Sequence, residues 1–273
     1  MRILFVGDIF GRPGRSIVHE RVPELIRDRN IDLAIANAEN AAGGFGLTPT
    51  IAEELFELGF DALTTGNHVW DKKEIIEYFN NADKHPGSHA HKIVRPANYP
   101  AGTPGWGSYE GTTRGGREFS GVPFAVINLQ GRVFMANNDD PFRKADEILK
   151  QIQAKVILVD IHAEATSEKV ALAWYLEGRA TAVLGTHTHV PTADERILPG
   201  GTAAQTDVGM TGPYASVIGV QKELIVQRFL SNMPGKFEPA TDDVRLCGCI
   251  IECNPETGRA RSIERLMIHE IET

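Results

Sequence analysis

Eight side chains carry the chemistry that this sequence offers: Asp8, Glu39, Asn40, Asn67, His68, His162, His187 and His189. The densest group is Gly185-Thr186-His187-Thr188-His189, where two histidines stand one residue apart behind the apolar run Ala182-Val183-Leu184. Side chains alternate along extended backbone, so positions i and i+2 share a face. Two neutral imidazole nitrogens on one face suit a borderline transition metal such as Zn, Mn or Fe. A surface loop that happens to hold two histidines is the alternative, and the rest of the chain has to decide between them.

The elements that must position these groups read as alternating strand and helix. Ile3 to Val6 is a continuous apolar run, as in a strand buried on both faces, and it ends at Asp8. Pro13 then starts a helical segment whose apolar stripe is Ile17, Val18, Val22, Leu25 and Ile26. Asp32 to Asn37 is a second buried strand and leads into Glu39-Asn40 and the glycine-rich Gly43-Gly44-Phe45-Gly46. Thr48 caps a helix with Pro49 at its first position and Ile51, Leu55 and Leu58 along its stripe. Asp61 to Thr65 is a third strand, ending in Gly66-Asn67-His68, and Trp70 to Phe79 reads as a short helix. This alternation predicts parallel strands with right-handed crossovers. In such sheets functional loops lie at the carboxyl ends of the strands, where Asp8, Glu39-Asn40 and Asn67-His68 all fall.

Beyond residue 81 the pattern changes to hairpin signals, with Tyr109 to Thr113 expected to pair with Glu118-Phe119 across Arg114-Gly115-Gly116-Arg117. Pro123 to Leu129 is a buried strand, Pro141 to Gln153 a helix, and Val156 to Ile161 a strand that ends at His162. Ser167 to Glu177 is helical, Thr181 to Leu184 leads to the histidine pair, and strands and turns follow at 196–198, 202–206 and 244–268. There is no repeat, low-complexity tract or linker, so residues 1–273 read as a single domain.

Composition narrows the partners. The chain has 273 residues, 42% hydrophobic content and a formal net charge of −8. No basic run appears, which argues against duplex nucleic acid and anionic membrane surfaces. No apolar run approaches membrane-spanning length, and the expected location is the cytoplasm. Cys247, Cys249 and Cys253 lack a fourth ligand for a structural zinc site and read as small strand residues in a reducing compartment. Association into a homo-oligomer stays open.

The eight-residue set contains carboxylates, carboxamides and imidazoles but no thiolate, a mixture that favours Mn, Fe or Zn over a pure Mg or Ca site. It holds more groups than one ion needs, and a carboxylate such as Glu39 can bridge two. A second cluster, His85, His89 and His91, sits in a Pro/Gly-rich loop and reads as solvated loop rather than metal site. Arg12, Arg15 and Arg132 are candidates to pair with a substrate phosphate, or plain surface charges.

In order, Asp8, Asn37-Ala38-Glu39-Asn40, Gly66-Asn67-His68, His162 and Gly185-Thr186-His187-Thr188-His189 resemble the motifs of the calcineurin-like metallophosphoesterase superfamily. Three departures narrow the resemblance: Phe10 replaces the first motif's histidine, Glu39 replaces an aspartate, and Val69 replaces the acidic residue after the third motif's histidine. Asp71 comes later and reads as a helix N-terminal charge rather than the orienter of His68. With Asn128-Leu129-Gln130-Gly131-Arg132 and Thr206-Asp207-Val208-Gly209-Met210-Thr211-Gly212-Pro213, these departures are similar to the YmdB-like phosphodiesterases over nearly the whole chain.

That resemblance implies an α/β fold, a two-sheet β-sandwich flanked by helices. It implies a dinuclear metal-dependent phosphodiesterase whose small-molecule substrates are cyclic nucleotides, 2′,3′-cyclic AMP first among them. Asp8 and His189 would hold one ion, with Asn40 as a substitute ligand, a loop tie or a substrate contact. Glu39 would bridge, and Asn67, His162 and His187 would hold the second ion. The cofactors would be two transition-metal ions, Fe or Mn ahead of Zn. A metal-bridging hydroxide would attack in line, and His68 would protonate the leaving oxygen. A phosphomonoesterase or protein phosphatase, or a regulatory protein that keeps its metals without turnover, are the alternatives. Retention of His68 speaks against the last.

Overall fold

The computed structural model describes residues 1–84 and 87–270; His85 therefore lies outside the described residues. The first third of the chain builds β1 (Arg2–Val6), β2 (Asp8–Ile9), α1 (Gly11–Asp28), β3 (Leu33–Asn37), α2 (Pro49–Glu57), β4 (Ala62–Thr64), α3 (Glu74–Asn80) and β5 (Ile93–Val94). The middle adds β6 (Ser108–Thr112), β7 (Pro123–Gln130), α4 (Pro141–Leu149), β8 (Val156–His162), α5 (Thr166–Tyr175) and β9 (Ala182–Thr186). The last third adds β10 (Arg196–Ile197), β11 (Ala203–Gln205), β12 (Met210–Pro213), β13 (Ser216–Val217), β14 (Val220–Gln221), α6 (Lys222–Ser231), β15 (Val244–Cys253) and β16 (Ala260–His269).

Two large sheets result. An eight-stranded sheet runs β2-β12-β15-β1-β3-β4-β5, with β16 also paired to β15; a six-stranded sheet runs β10-β11-β9-β8-β7-β6. Strands β1, β3, β4 and β5 are parallel to one another, and so are β7, β8, β9 and β11. Alternation along each strand explains the layers. Ile3 and Phe5 of β1 face Phe124, Val126 and Leu158 of the other sheet across one buried core. Leu4 and Val6, the intervening residues, face Ile17, Val18, Val22 and Leu55 of α1 and α2. The second sheet repeats this: Ile127, Leu129, Ile157 and Val159 point outward to Ala145 of α4 and Leu172 of α5. The molecule is the expected sandwich of two sheets flanked by helices.

Two local expectations are corrected. The strand β6 pairs with β7, from Thr112↔Pro123 to Ser108↔Ile127, and not with Glu118-Phe119. The turn residues are drawn to the other sheet instead: Arg117 reaches Asp61 at 2.9 Å and the Phe119 amide donates to Asp32 at 3.1 Å. The helix expected from Trp70 begins only at Glu74, because Asp71 belongs to a turn whose amide donates to the His68 carbonyl at 3.1 Å. The segment from Gly219 to Val244, to which the sequence reading assigns no element, contributes α6.

Candidate metal centre and cleft

Each sheet delivers its groups at the carboxyl ends of its parallel strands, and the two sets meet. Asp8 follows β1, Glu39 and Asn40 follow β3, and Asn67 and His68 follow β4. From the second sheet His162 ends β8, and His187 and His189 follow β9. All eight sequence-derived residues are brought together.

Among the described residues, two groups can hold a metal ion: Glu39 with His162 and His187, and Asp8 with Glu39 and His189; the donor atoms within each group lie within 4.8 Å of one another. Glu39 is common to both. Around the first group, His162 Nε2 lies 3.1 Å from Glu39 Oε1, 2.9 Å from Asn67 Oδ1 and 3.1 Å from His187 Nδ1. Around the second, His189 Nε2 is 3.9 Å from Asp8 Oδ1 and 3.2 Å from Asn40 Nδ2, which also donates to Glu39 Oε1 at 3.0 Å. A half-turn of the Asn40 amide would present its oxygen to that same space.

The surroundings fix which imidazole nitrogens face inward. Thr186 gives its one hydroxyl proton to Asp160 Oδ1 at 2.7 Å, so its oxygen accepts from His162 Nδ1 at 2.9 Å. His189 donates Nδ1–H to the Ile218 carbonyl at 2.8 Å. Both rings therefore turn Nε2 toward the carboxylates, the arrangement that outer partners impose on metal-ligating histidines. Burial, and then the neighbouring His162, push the His187 imidazole down to about 3, so it is neutral. Burial likewise lowers His189.

The charges call for a cation. Asp8 is fully buried; burial, with Glu39, Asp207 and Asp160 nearby, pushes its carboxyl well up. Its Oδ1 and Asn40 Oδ1 are buried without a hydrogen-bond partner. Burial opposes charge on Glu39, but the His162 charge and hydrogen bond outweigh it and hold the carboxyl at about 2. Burial would lower His162 too, yet Glu39 and the other carboxylates raise it to about 9. Without a metal, one proton on His162 is the counter-charge; a cation bound between the same groups would displace it. The backbone leaves room: a Cβ on Gly66 would lie 2.4 Å from both Glu39 Oε2 and His162 Nε2. The residues present fit a pair of metal ions.

His68 stands at the rim. Its amide donates to Glu39 Oε2 at 3.2 Å, and its Nδ1 donates to Asp71 Oδ2 at 2.9 Å. Asp71 thus orients His68, which corrects its reading as a helix charge; the helix starts three residues later and leaves that carboxylate free to bond the ring. Phe10, in place of a histidine, packs edge-on against His189 at 5.6 Å. A cleft of about 720 Å³ opens over Glu39, Asn40, His68, His187 and His189.

The chain is matched over residues 4–266 by the profile of the YmdB-like protein family. It belongs to that family. The YmdB-like chain is 49% identical to the 2′,3′-cyclic-nucleotide 2′-phosphodiesterase of Bacillus subtilis, over 99% of its own length and 98% of the relative's. A crystal structure of a hypothetical protein from Thermus thermophilus is 45% identical and superimposes with a TM-score of 0.88, covering 99% of this chain and 100% of that one. A phosphatase structure from Mycoplasma pneumoniae is 33% identical, with a TM-score of 0.88, covering 98% and 93% of the two chains.

Other candidates of the YmdB-like sequence lie elsewhere. Arg15 donates to the Ala41 carbonyl and lines a separate groove with Arg12, while Arg132 pairs with Asp140 at 3.5 Å. None of the three lines the cleft; its guanidinium is Arg228 of α6. His89 bonds Glu53 at 2.6 Å and His91 packs on Tyr109, so both are engaged with protein partners. Sequence reasoning missed Glu164, 3.3 Å from His187 Nε2, and the apolar wall of Phe229 and Phe237. The spacing of Leu224, Ile225, Arg228 and Phe229, a helical stripe, was the signal available for that wall.

Proposed function

We propose that this chain is a dinuclear metal-dependent phosphodiesterase that hydrolyses cyclic nucleotides, with 2′,3′-cyclic AMP as the leading substrate. One observation carries the reading: Glu39 is shared by two donor groups beneath a cleft that also holds His68. Asp8, Glu39, Asn40 and His189 would hold one ion, and Glu39, Asn67, His162 and His187 the other. The nitrogen–oxygen donor set without thiolate suits manganese or iron, with zinc next. Because the ligands come from both sheets, residues 1–273 act as one domain.

When bound, the ions would supply Lewis acidity, activating a water and neutralising charge on the phosphoryl oxygens. The chain's own part is placement and proton transfer. Asp71 holds His68 through Nδ1, which leaves Nε2 to face the leaving ribose oxygen and hand it a proton as the P–O bond breaks. The His189 ring is held by the Ile218 carbonyl and by its edge-on contact with the Phe10 ring. The substrate named for the 49% identical Bacillus subtilis relative supports the choice of a 2′,3′-cyclic ester.

The test is hydrolysis by metal-stripped protein with and without Mn²⁺, comparing 2′,3′-cyclic AMP, 3′,5′-cyclic AMP and a phosphomonoester. Mn²⁺-dependent turnover of the 2′,3′-cyclic diester is expected. Turnover of the monoester alone would make the protein a phosphatase. No turnover with both ions bound would leave a metal-binding regulatory protein.

A further inference from the structure

The cleft that holds the metal-competent groups has a second lining that the hydrolytic chemistry does not use. Phe45 sits edge-on to the His68 ring at 5.1 Å, and Phe237 sits edge-on to Phe45 at 6.1 Å. The Arg228 guanidinium lies over the Phe237 ring at 4.9 Å. Resting on the phosphodiesterase reading of this site, we propose that Phe45, Phe237 and Arg228 form a nucleobase platform, which selects nucleoside 2′,3′-cyclic phosphates over base-free cyclic phosphodiesters.

Three features point to a base rather than to another ligand. In a nucleoside 2′,3′-cyclic phosphate the base and the reacting phosphate sit on one furanose, so the base lies one sugar ring from the leaving oxygen. Phe45 lies 5.1 Å from the His68 ring, and Phe237 lies 6.1 Å from Phe45, so both rings are near the proposed proton donor. Flat π faces that accept any base by stacking, with an arginine adding a cation over the ring system, are what single nucleotides bind. The loop that carries Phe45 is tightly set: Gly44 is at φ 94°, and a Cβ there would lie 2.9 Å from the Phe10 ring. Phe237 is 40% exposed at the edge of the cleft, an apolar surface poised for a planar partner.

The experiment compares kcat/KM for 2′,3′-cyclic AMP, 2′,3′-cyclic CMP and glycerol 1,2-cyclic phosphate. It uses the Mn²⁺-loaded full chain as wild type, Phe237→Ala and Arg228→Ala, with thermal unfolding as the folding control. Wild type should prefer the adenosine ester to the glycerol ester. Phe237→Ala should shrink that ratio, and the matching ratio for the cytidine ester, by about 5- to 100-fold, mostly through KM, because one base–aromatic stack carries that much. Arg228→Ala should shrink it less. If wild type hydrolyses the esters and both variants keep the wild-type ratio, the platform is wrong and the phosphodiesterase reading stands. If wild type hydrolyses none of the three, the phosphodiesterase reading falls and takes the platform with it.

Discussion

A general acid in a phosphodiesterase needs a free ring nitrogen over the leaving oxygen and a partner that holds the other one. His68 offers the partner, since Asp71 takes Nδ1 at 2.9 Å while the backbone amide is tied to Glu39, and the proposed role gives Nε2 to the leaving oxygen. His68→Ala should lower kcat by about 10²- to 10⁴-fold, the usual span for a lost general acid, with both metals retained. Asp71→Asn should cost less, about tenfold, because the ring keeps a hydrogen-bond partner but loses a fixed charge. Turnover of both variants at saturating Mn²⁺, beside metal content by mass spectrometry, checks the pair; normal turnover by His68→Ala would end the acid role. Gly66 gives a complementary test. A methyl there would lie 2.4 Å from Glu39 and from His162, so Gly66→Ala should lower bound metal per chain as well as activity. Residue type and strand-end position made the eight groups that the fold brings together legible, but not Glu164 or the apolar wall of Phe229 and Phe237. The role of Asp71 was not, because the turn that brings it back to His68 cannot be told from a helix start by composition.

At the scale of the element, the His-x-His loop is held against its own backbone preference. His187 has φ 100° and His189 φ 66°, a left-handed region that non-glycine residues enter only when their surroundings impose it. Asp207 supplies the hold: one of its oxygens accepts the Thr188 amide at 3.1 Å and the Thr188 hydroxyl at 2.7 Å, and Lys169 of α5 reaches the same carboxylate at 2.8 Å. Both members of this ion pair are 2% exposed. Removing one member strands a buried charge, which costs about 3–5 kcal/mol, whereas removing both costs less. Urea unfolding should therefore find Lys169→Met less stable than Lys169→Met with Asp207→Asn, while metal affinity is weakened in both; equal stability of the two would refute the charge argument. The strands and helices that deliver this loop were readable, since β1, β3, β8 and β9 are apolar runs and α2 carries its cap and proline in sequence. The elements that were not readable share a cause. The 114–121 turn is shaped by Asp32 and Asp61, far away in sequence, and β12 is a short strand held by β2 and β15 rather than by a pattern of its own.

The whole molecule is a sandwich whose inner core contains thiols, and that gives its stability a pH dependence of definite sign. Cys249 and Cys253 lie in the core between the sheets, and Cys247 is buried on the same strand beside the Tyr214 hydroxyl at 3.0 Å. All three are free. Burial pushes the Cys247 and Cys253 thiols from 9.0 up to about 11, and Cys249 further still. A thiol whose pKa is higher in the folded than in the unfolded state leaves the native protein holding more protons than the unfolded chain between the two values. Stability from this source is complete below about pH 9 and is lost as pH rises toward 11. Urea unfolding in reducing buffer should show a midpoint that is level from pH 7.5 to 8.5 and falls between pH 9 and 11, with a shallower fall in a Cys249→Ala variant even though its starting stability is lower. Reaction with an aromatic disulfide at pH 8 gives the kinetic form of the same argument. No thiol should react until the sheets separate, and then all three should react in one phase, because a single core covers Cys249 and Cys253 and Cys247 is buried beside Tyr214. A midpoint that rises above pH 9 would refute the raised thiol pKa values, and a thiol that reacts well ahead of the others would show that the two sheets do not open as one unit.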